Sequence, residues 1–216
     1  MKENIKSDIQ SDSSAQGVRR RGRPKCFNEQ QALEKAMLLF WQYGYEATSV
    51  NNLTQALGIT APSLYRSFGD KADLFHQCLD YYLQHEACAI DHIFSQAKTA
   101  KVAIELYLRE NLKSLMQSNK PKGCMLVVAT MNCSTENADL QQQLLEKRKQ
   151  ITAKIYQRLV EGQHLGEISE NANLASMTDF YVTLLQGMTI QARDGASLQQ
   201  LEYVVVNAMK AWDIFV

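Results

Sequence analysis

What this sequence has little of narrows it before any motif does. Only three prolines, Pro24, Pro62 and Pro121, interrupt 216 residues, so long helices are free to run between them. Sustained alternation of apolar and polar residues is almost missing, which argues against a sheet. No apolar run approaches the roughly 20 residues that cross a bilayer. The polar opening MKENIKSDIQSDSSAQG lacks the apolar core of a secretory signal. A cytoplasmic protein without membrane association is expected. The five cysteines, Cys26, Cys78, Cys88, Cys124 and Cys133, are odd in number and irregular in spacing, which excludes a disulfide framework and a paired-cysteine metal site. The four histidines have no paired ligand spacing, and neither a nucleophile elbow nor a glycine-rich phosphate loop occurs. No metal, no cofactor and no enzymatic activity are expected.

Net charge is also absent, at zero, but its distribution is not even. Between Arg19 and Lys71, eight Lys and Arg face four acids, so this segment is at +4 and the remainder at −4. A basic end joined to an acidic remainder fits a nucleic-acid-binding part and a sensing or dimer-forming part.

The chain is organised around Ser49 to Lys71. Ser49 is a good N-cap, and Val50, Leu53, Ala56 and Leu57 share one helical face. Gly58 follows, where a left-handed residue ends a helix at least cost. Thr60 is a second N-cap, and Pro62 sits in a first turn where its missing N–H is harmless. Leu64 and Phe68 form the buried face of this second helix; Ser63, Tyr65 and Arg66 are donors on the outer face. Two short helices around a glycine turn, the second rich in outward donors, is a helix-turn-helix pattern. Before it, Asn28 to Tyr43 reads as a helix with an Asn28–Gln31 cap and the stripe Ala32, Leu33, Ala36, Leu39, Phe40 and Tyr43.

Residues 1–26 read as a flexible basic arm. Its Arg-Gly-Arg-Pro, with Arg21 and Arg23, suits a narrow A·T-rich minor groove or simple phosphate contact. Thr48 precedes a helix N-terminus, a place for a phosphate. Arg66 is positioned for a bidentate contact to a guanine edge.

The remainder is helical throughout. A long helix from Lys71 to about Gln96 would link the two parts as a lever, capped by Asp70. Further helices are expected over Val102–Met116, in the short apolar run GCMLVVATMNC, and over Asp139 to Glu161. The last two are expected over Leu174–Ala192 and Leu198–Phe215. Phe94, Tyr107, Met116, Met125, Met131 and Tyr156 are candidate walls of a ligand cavity, since Met and aromatics adapt to small molecules. Cys124, after Lys122-Gly123 near a presumed helix start, is a candidate redox sensor with a stabilised thiolate.

ALGITAPSLYRSFGDKADLF resembles the recognition region of the TetR family of bacterial transcriptional repressors. The resemblance runs back through FWQYGYEATSV and forward to about Tyr82, and KGCMLV and LLQGMTIQARDGAS are similar to C-terminal segments of one subgroup. It implies an all-α fold, with a three-helix DNA-binding domain over residues 27–72 and a helical ligand-binding and dimerisation domain over 73–216. It implies that Thr60, Ala61 and Ser63 enter the major groove, and that Tyr65 and Lys71 meet phosphates. Pro62 departs from the small or polar residues usual there and removes a donor. The expected function is a homodimeric repressor of double-stranded DNA, released from a palindromic operator by a small-molecule or reactive-species effector. The alternative is a ligand-independent activator or architectural protein.

Overall fold

The computed structural model describes residues 28–131 and 133–215, and among these every regular element is a helix. The basic stretch with Arg21 and Arg23 lies outside the described residues. Helix α1 spans Glu29–Ala47, α2 Val50–Leu57, α3 Ala61–Phe68 and α4 Lys71–His85. Then come α5 (Ile90–Gln96), α6 (Ala100–Leu115), α7 (Met125–Val128), α8 (Ala138–His164), α9 (Leu174–Arg193) and α10 (Leu198–Phe215).

The caps anticipated at Asn28, Ser49 and Asp70 are made, and the one at Thr60 is not. The Asn28 side chain accepts from Gln31 N at 3.1 Å, and the Asp70 carboxylate accepts from Ala72 N and Asp73 N at 2.8 and 2.9 Å. Gly44 takes a positive φ of 82° and kinks α1, which then continues for three more residues.

Two apolar clusters form the interior. In the first, Phe40, Trp41, Leu53, Leu64, Phe75 and Tyr82 of α1–α4 pack with Met125, Leu126 and Val128 of α7 and Leu140 and Leu144 of α8. The core holding the N-terminal helices therefore extends well past residue 72. In the second, α6 and α8–α10 pack through Leu108, Ile155, Leu159, Met177, Tyr181, Val205 and Trp212. Cys124 and Ile151 pack against both clusters.

The single lever helix anticipated over Lys71–Gln96 is two helices. The carbonyl of Tyr82 accepts from both Glu86 N and Ala87 N, at 2.9 and 2.8 Å, which closes the last turn of α4. The Glu86 carboxylate is held by Lys120 Nζ at 2.6 Å, and α5 begins anew at Ile90. The remaining boundaries moved by only a few residues. The apolar run 125–128, strand-like by its paired valines, is a single helical turn; its backbone amides bond within the turn rather than to a strand.

Candidate functional site

The α2–α3 unit is built almost wholly from local bonds. Ser49 Oγ accepts from Asn52 N at 3.1 Å while Asn52 Oδ1 accepts from Ser49 N at 2.9 Å, a reciprocal cap. Gly58 adopts φ 68°, ψ 32°, which lets its own N–H and that of Ile59 reach the carbonyls of Gln55 and Thr54. The chain then enters α3. Here the Thr60 hydroxyl pairs with the Ser63 hydroxyl at 3.0 Å instead of capping the backbone.

Leu64 and Phe68 bury one face of α3 against the first cluster. The opposite face presents Pro62, Ser63, Tyr65 and Arg66 to solvent, with Thr60 just ahead and Ala61 half-buried. Tyr65 is 49% exposed although aromatic. Arg66 has no ion-pair partner among the described residues. An exposed, unpaired guanidinium beside hydroxyls on one helix face is a surface prepared for polar recognition.

Two of the expected phosphate contacts differ in their surroundings. The Thr48 side chain is buried, and its hydroxyl donates to Gly44 O at 2.7 Å, so it braces the α1 kink instead of facing outward. Lys71 lies half-buried with Nζ 4.2 Å from the centre of the Tyr45 ring. Burial lowers its pKa, opposed by the charge of Glu46.

The largest surprise is the segment around α7. Trp41 Nε1, fully buried, donates to Gly123 O at 2.9 Å, and Tyr45 N donates to Ala129 O at 2.8 Å. Gly123 holds φ 88° and lies so close to Thr189 that an added Cβ would sit 3.2 Å from it. The Tyr82 hydroxyl donates to Cys124 Sγ at 3.4 Å. Glu46, at the end of α1, accepts from Ser134 N and Asn137 Nδ2 at 2.7 and 2.8 Å, and these bonds hold its carboxyl below the usual range. Arg193 of α9 donates to Gln42 O at 3.0 Å. The helices bearing the candidate recognition surface are thus tied to the rest of the molecule through α1 and α7.

On its other side α7 walls a cavity of ≈ 70 Å³ shared with α6, α8 and α9. Its surroundings include Tyr107, Cys124, Leu126, Arg148, Ile151 and Thr189. Of the six candidate wall residues, only Tyr107 lines this cavity. Phe94 stacks edge-on against Tyr107 at 5.7 Å, and Met116 packs against the second cluster. Met125 points into the first cluster. Met131, 59% exposed, and Tyr156, 43% exposed, lie on the surface, because their positions fall on the outer sides of their segments. Arg148, Asn111 and Thr152 were missed. A signal for Arg148 was present: it shares a helical face with Leu144, Ile151 and Ile155, a cation inside an apolar stripe.

Cys124 also lines the cavity, but its thiol is not the stabilised thiolate expected. Burial pushes its pKa up; the bonds from Tyr82, Leu126 and Val127 and the charge of Arg148 offset this only in part. The turn it precedes is four residues long, too short for a strong helix dipole.

Among the described residues no cluster of His, Cys, Asp and Glu could hold a metal ion, and no helix is long and apolar enough to cross a membrane.

Known proteins share both halves of this arrangement. Residues 32–78 match the family described as bacterial regulatory proteins, tetR family, and residues 104–206 match the tetracyclin repressor-like C-terminal domain. The chain is 33% identical over 207 residues to the HTH-type transcriptional repressor ComR of Escherichia coli K12, covering 94% of this chain and 97% of that protein. It is 30% identical to the HTH-type transcriptional repressor BdcR of the same organism, over 83% of this chain and 86% of that protein. Among solved structures, a cysteine mutant of the TetR family transcriptional regulator CifR, complexed with 26-base-pair double-strand operator DNA, superposes with a TM-score of 0.84. That pair shares 31% identity, over 88% of this chain and 100% of the other. With the glycine-linked helix pair, the outward donors of α3 and matches over both halves, this chain belongs to the TetR family of bacterial transcriptional regulators.

Proposed function

We propose that this protein is a homodimeric, operator-binding transcriptional repressor whose grip on DNA is released by a small-molecule effector. The observation that carries this reading is the outer face of α3. Its donors are exposed and unpaired by carboxylates, while its inner face is locked to a core shared with α7. Ser63 and Arg66 reach base edges, Tyr65 a phosphate, and Lys71 adds charge near the backbone. Thr60 and Ala61 approach closely at the start of the helix, and Arg21 and Arg23 extend the contact into the minor groove. One recognition helix reads too few base pairs for selectivity, so two copies bind a palindrome about 34–36 Å apart. The reading assigns residues 1–26 to the arm, 27–72 to DNA binding and 73–216 to effector binding and dimerisation. It assigns no catalysis, and it places the protein in the cytoplasm, where its DNA is.

The raised pKa of Cys124 favours a reversibly bound effector over thiol chemistry as the release signal. Coupling is a difference in effector affinity between the DNA-competent and released conformations. The bonds from Trp41 and Tyr45 to the carbonyls flanking α7 support a route through α7 and α1 as well as α4.

Footprinting on the DNA flanking the protein's own gene tests the reading. A protected palindrome, with affinity falling steeply as salt rises, is the expected result. Protection of a single non-symmetric site, or uniform binding to all DNA, would replace it with the architectural alternative. Retained binding in the presence of every metabolite fraction from the host would remove the effector from the account.

A further inference from the structure

We propose that the cavity behind α7 recognises a small apolar carboxylate, and that Arg148 is the residue that pairs with its anionic end. The inference rests on the effector reading above and names the class of molecule that reading leaves open.

Arg148 is half-buried on α8, and every other described side chain around the cavity is uncharged. Among the described residues its side chain makes one hydrogen bond, from Nη1 to the carbonyl of Leu126, at 2.6 Å. No carboxylate lies within ion-pair distance of it among the described residues. The other described arginines of the C-terminal part are provided for. Arg109 meets Glu105 and Glu202, Arg158 faces Glu167, and Arg193 is exposed and bonded to Gln42 O.

A guanidinium has five N–H donors. Holding one partly out of water against a single neutral carbonyl leaves its other donors to solvent, or to an anion that displaces that solvent. Burial indeed lowers the Arg148 pKa. Anionic oxygens supply what is missing, two at a time in the bidentate geometry.

The remaining walls define the rest of the ligand. Leu126, Ile151, Ile155, Val182 and Leu185 are aliphatic, and ≈ 70 Å³ admits only a compact body. Among neutral polar groups, Thr152 and Thr189 already donate to carbonyls of their own helices, so they do not compete for the anion. The chemistry is that of a short-chain aliphatic acid.

The position of Arg148 also gives binding a consequence. The ligand's oxygens compete with Leu126 O for the guanidinium. Leu126 lies within the turn whose flanking carbonyls, Gly123 O and Ala129 O, hold Trp41 and Tyr45 of α1. Loosening α7 changes the support of the helices that carry α3.

The test uses the full-length protein with acetate and propionate, and with acetamide and propionamide as neutral matches of the same shape. Thermal shift reports binding and a gel shift on the operator reports release. At least one acid is expected to raise the melting temperature and release DNA at concentrations where its amide does neither. Arg148→Met is expected to weaken the acid at least tenfold, and Arg148→Lys to keep part of the response. Circular dichroism and operator binding without ligand establish that each variant folds. Equal response to acid and amide, or an unchanged acid affinity in Arg148→Met, overturns the carboxylate assignment. So does silence of both acids. The effector reading is judged separately by host metabolite extract. Release of wild type but not of the cavity-filling variant Val182→Phe keeps the effector site while the acid class falls. Release of neither protein removes both.

Discussion

Eight residues make α3 and four make α7, yet their shapes are held by different means. α3 has its boundary signals within a few residues of itself: the Gly58 turn, the Thr60–Ser63 hydroxyl pair, Pro62 in the first turn and Gly69 after the last. α7 has no side-chain cap, and its neighbourhood is held by Trp41, Tyr45, Tyr82 and Arg148, which come from three distant helices. A recognition helix must present one face to DNA whatever the rest of the protein does, so self-sufficiency suits it. A junction must respond to both sides, so dependence on both sides suits α7. Short helices are marginal on their own; in α3 the flanking glycines, Pro62 in the first turn and two buried side chains meet the deficit, and in α7 only tertiary contacts do.

The largest effect should come from removing the tryptophan that binds this junction. Trp41→Ala empties a fully buried site in edge contact with Tyr82 and removes the bond to Gly123 O. It should lower the unfolding free energy by about 3–5 kcal/mol in urea denaturation. A loss below about 1 kcal/mol would mean that α7 is not held in this way. Trp41→Phe isolates the hydrogen bond and should cost less, because the ring largely stays.

The two glycines that open and close the contrast come next. Gly58 and Gly123 both have positive φ, but a Cβ on Gly58 meets nothing, whereas on Gly123 it presses on Thr189. Gly58→Ala should cost about 1–2 kcal/mol, the left-handed backbone alone. Gly123→Ala should cost more in the same urea denaturation. Equal costs would place the two turns in one class.

On the DNA side, Arg66→Ala should weaken operator binding by about 1–3 kcal/mol and relax selectivity at one base pair of each half-site. Its unfolding free energy should stay within about 0.5 kcal/mol of the parent, as expected for an exposed side chain. Titration of labelled operator by fluorescence anisotropy separates the two quantities. A stability loss with unchanged binding would make Arg66 structural.

The smallest effect concerns pH at the end of α1. The Glu46 carboxyl is held below its ordinary value, first by the bond from Ser134 N and then by Asn137. A depressed carboxylate stabilises the fold above its unfolded-state pKa, and the contribution disappears as pH falls through the folded-state value. Stability measured from neutral pH downward should therefore show a small acid-side loss that Glu46→Gln lacks. An identical pH profile for both proteins would show that this bond does not contribute.

Much of this molecule was legible from residue types. The caps at Asn28, Ser49 and Asp70, the turn at Gly58 and the buried pair Leu64 and Phe68 all follow from interactions spanning four residues or fewer, and each appears as expected. The long lever did not survive, because the bond that stops α4 leaves no special residue type at 86–89, and the Lys120 grip on Glu86 comes from far along the chain. Thr48 was misplaced for a related reason. Its position before a helix is readable, but the direction of its hydroxyl depends on the Gly44 kink.

By itself, then, the sequence determined that the protein is helical, that it carries a helix-turn-helix with donors outward, and that charge separates its two parts. Periodicity, capping and charge are local quantities, and a linear reading captures them. Which aromatic residues would pack as core and which would line a cavity, how α7 joins α1, and that Arg148 would meet no carboxylate among the described residues were decided only when helices distant in sequence came together. Those outcomes depend on side chains that meet backbone carbonyls about 80 to 150 positions away, such as Trp41 with Gly123 and Arg193 with Gln42, and no local pattern encodes their partners.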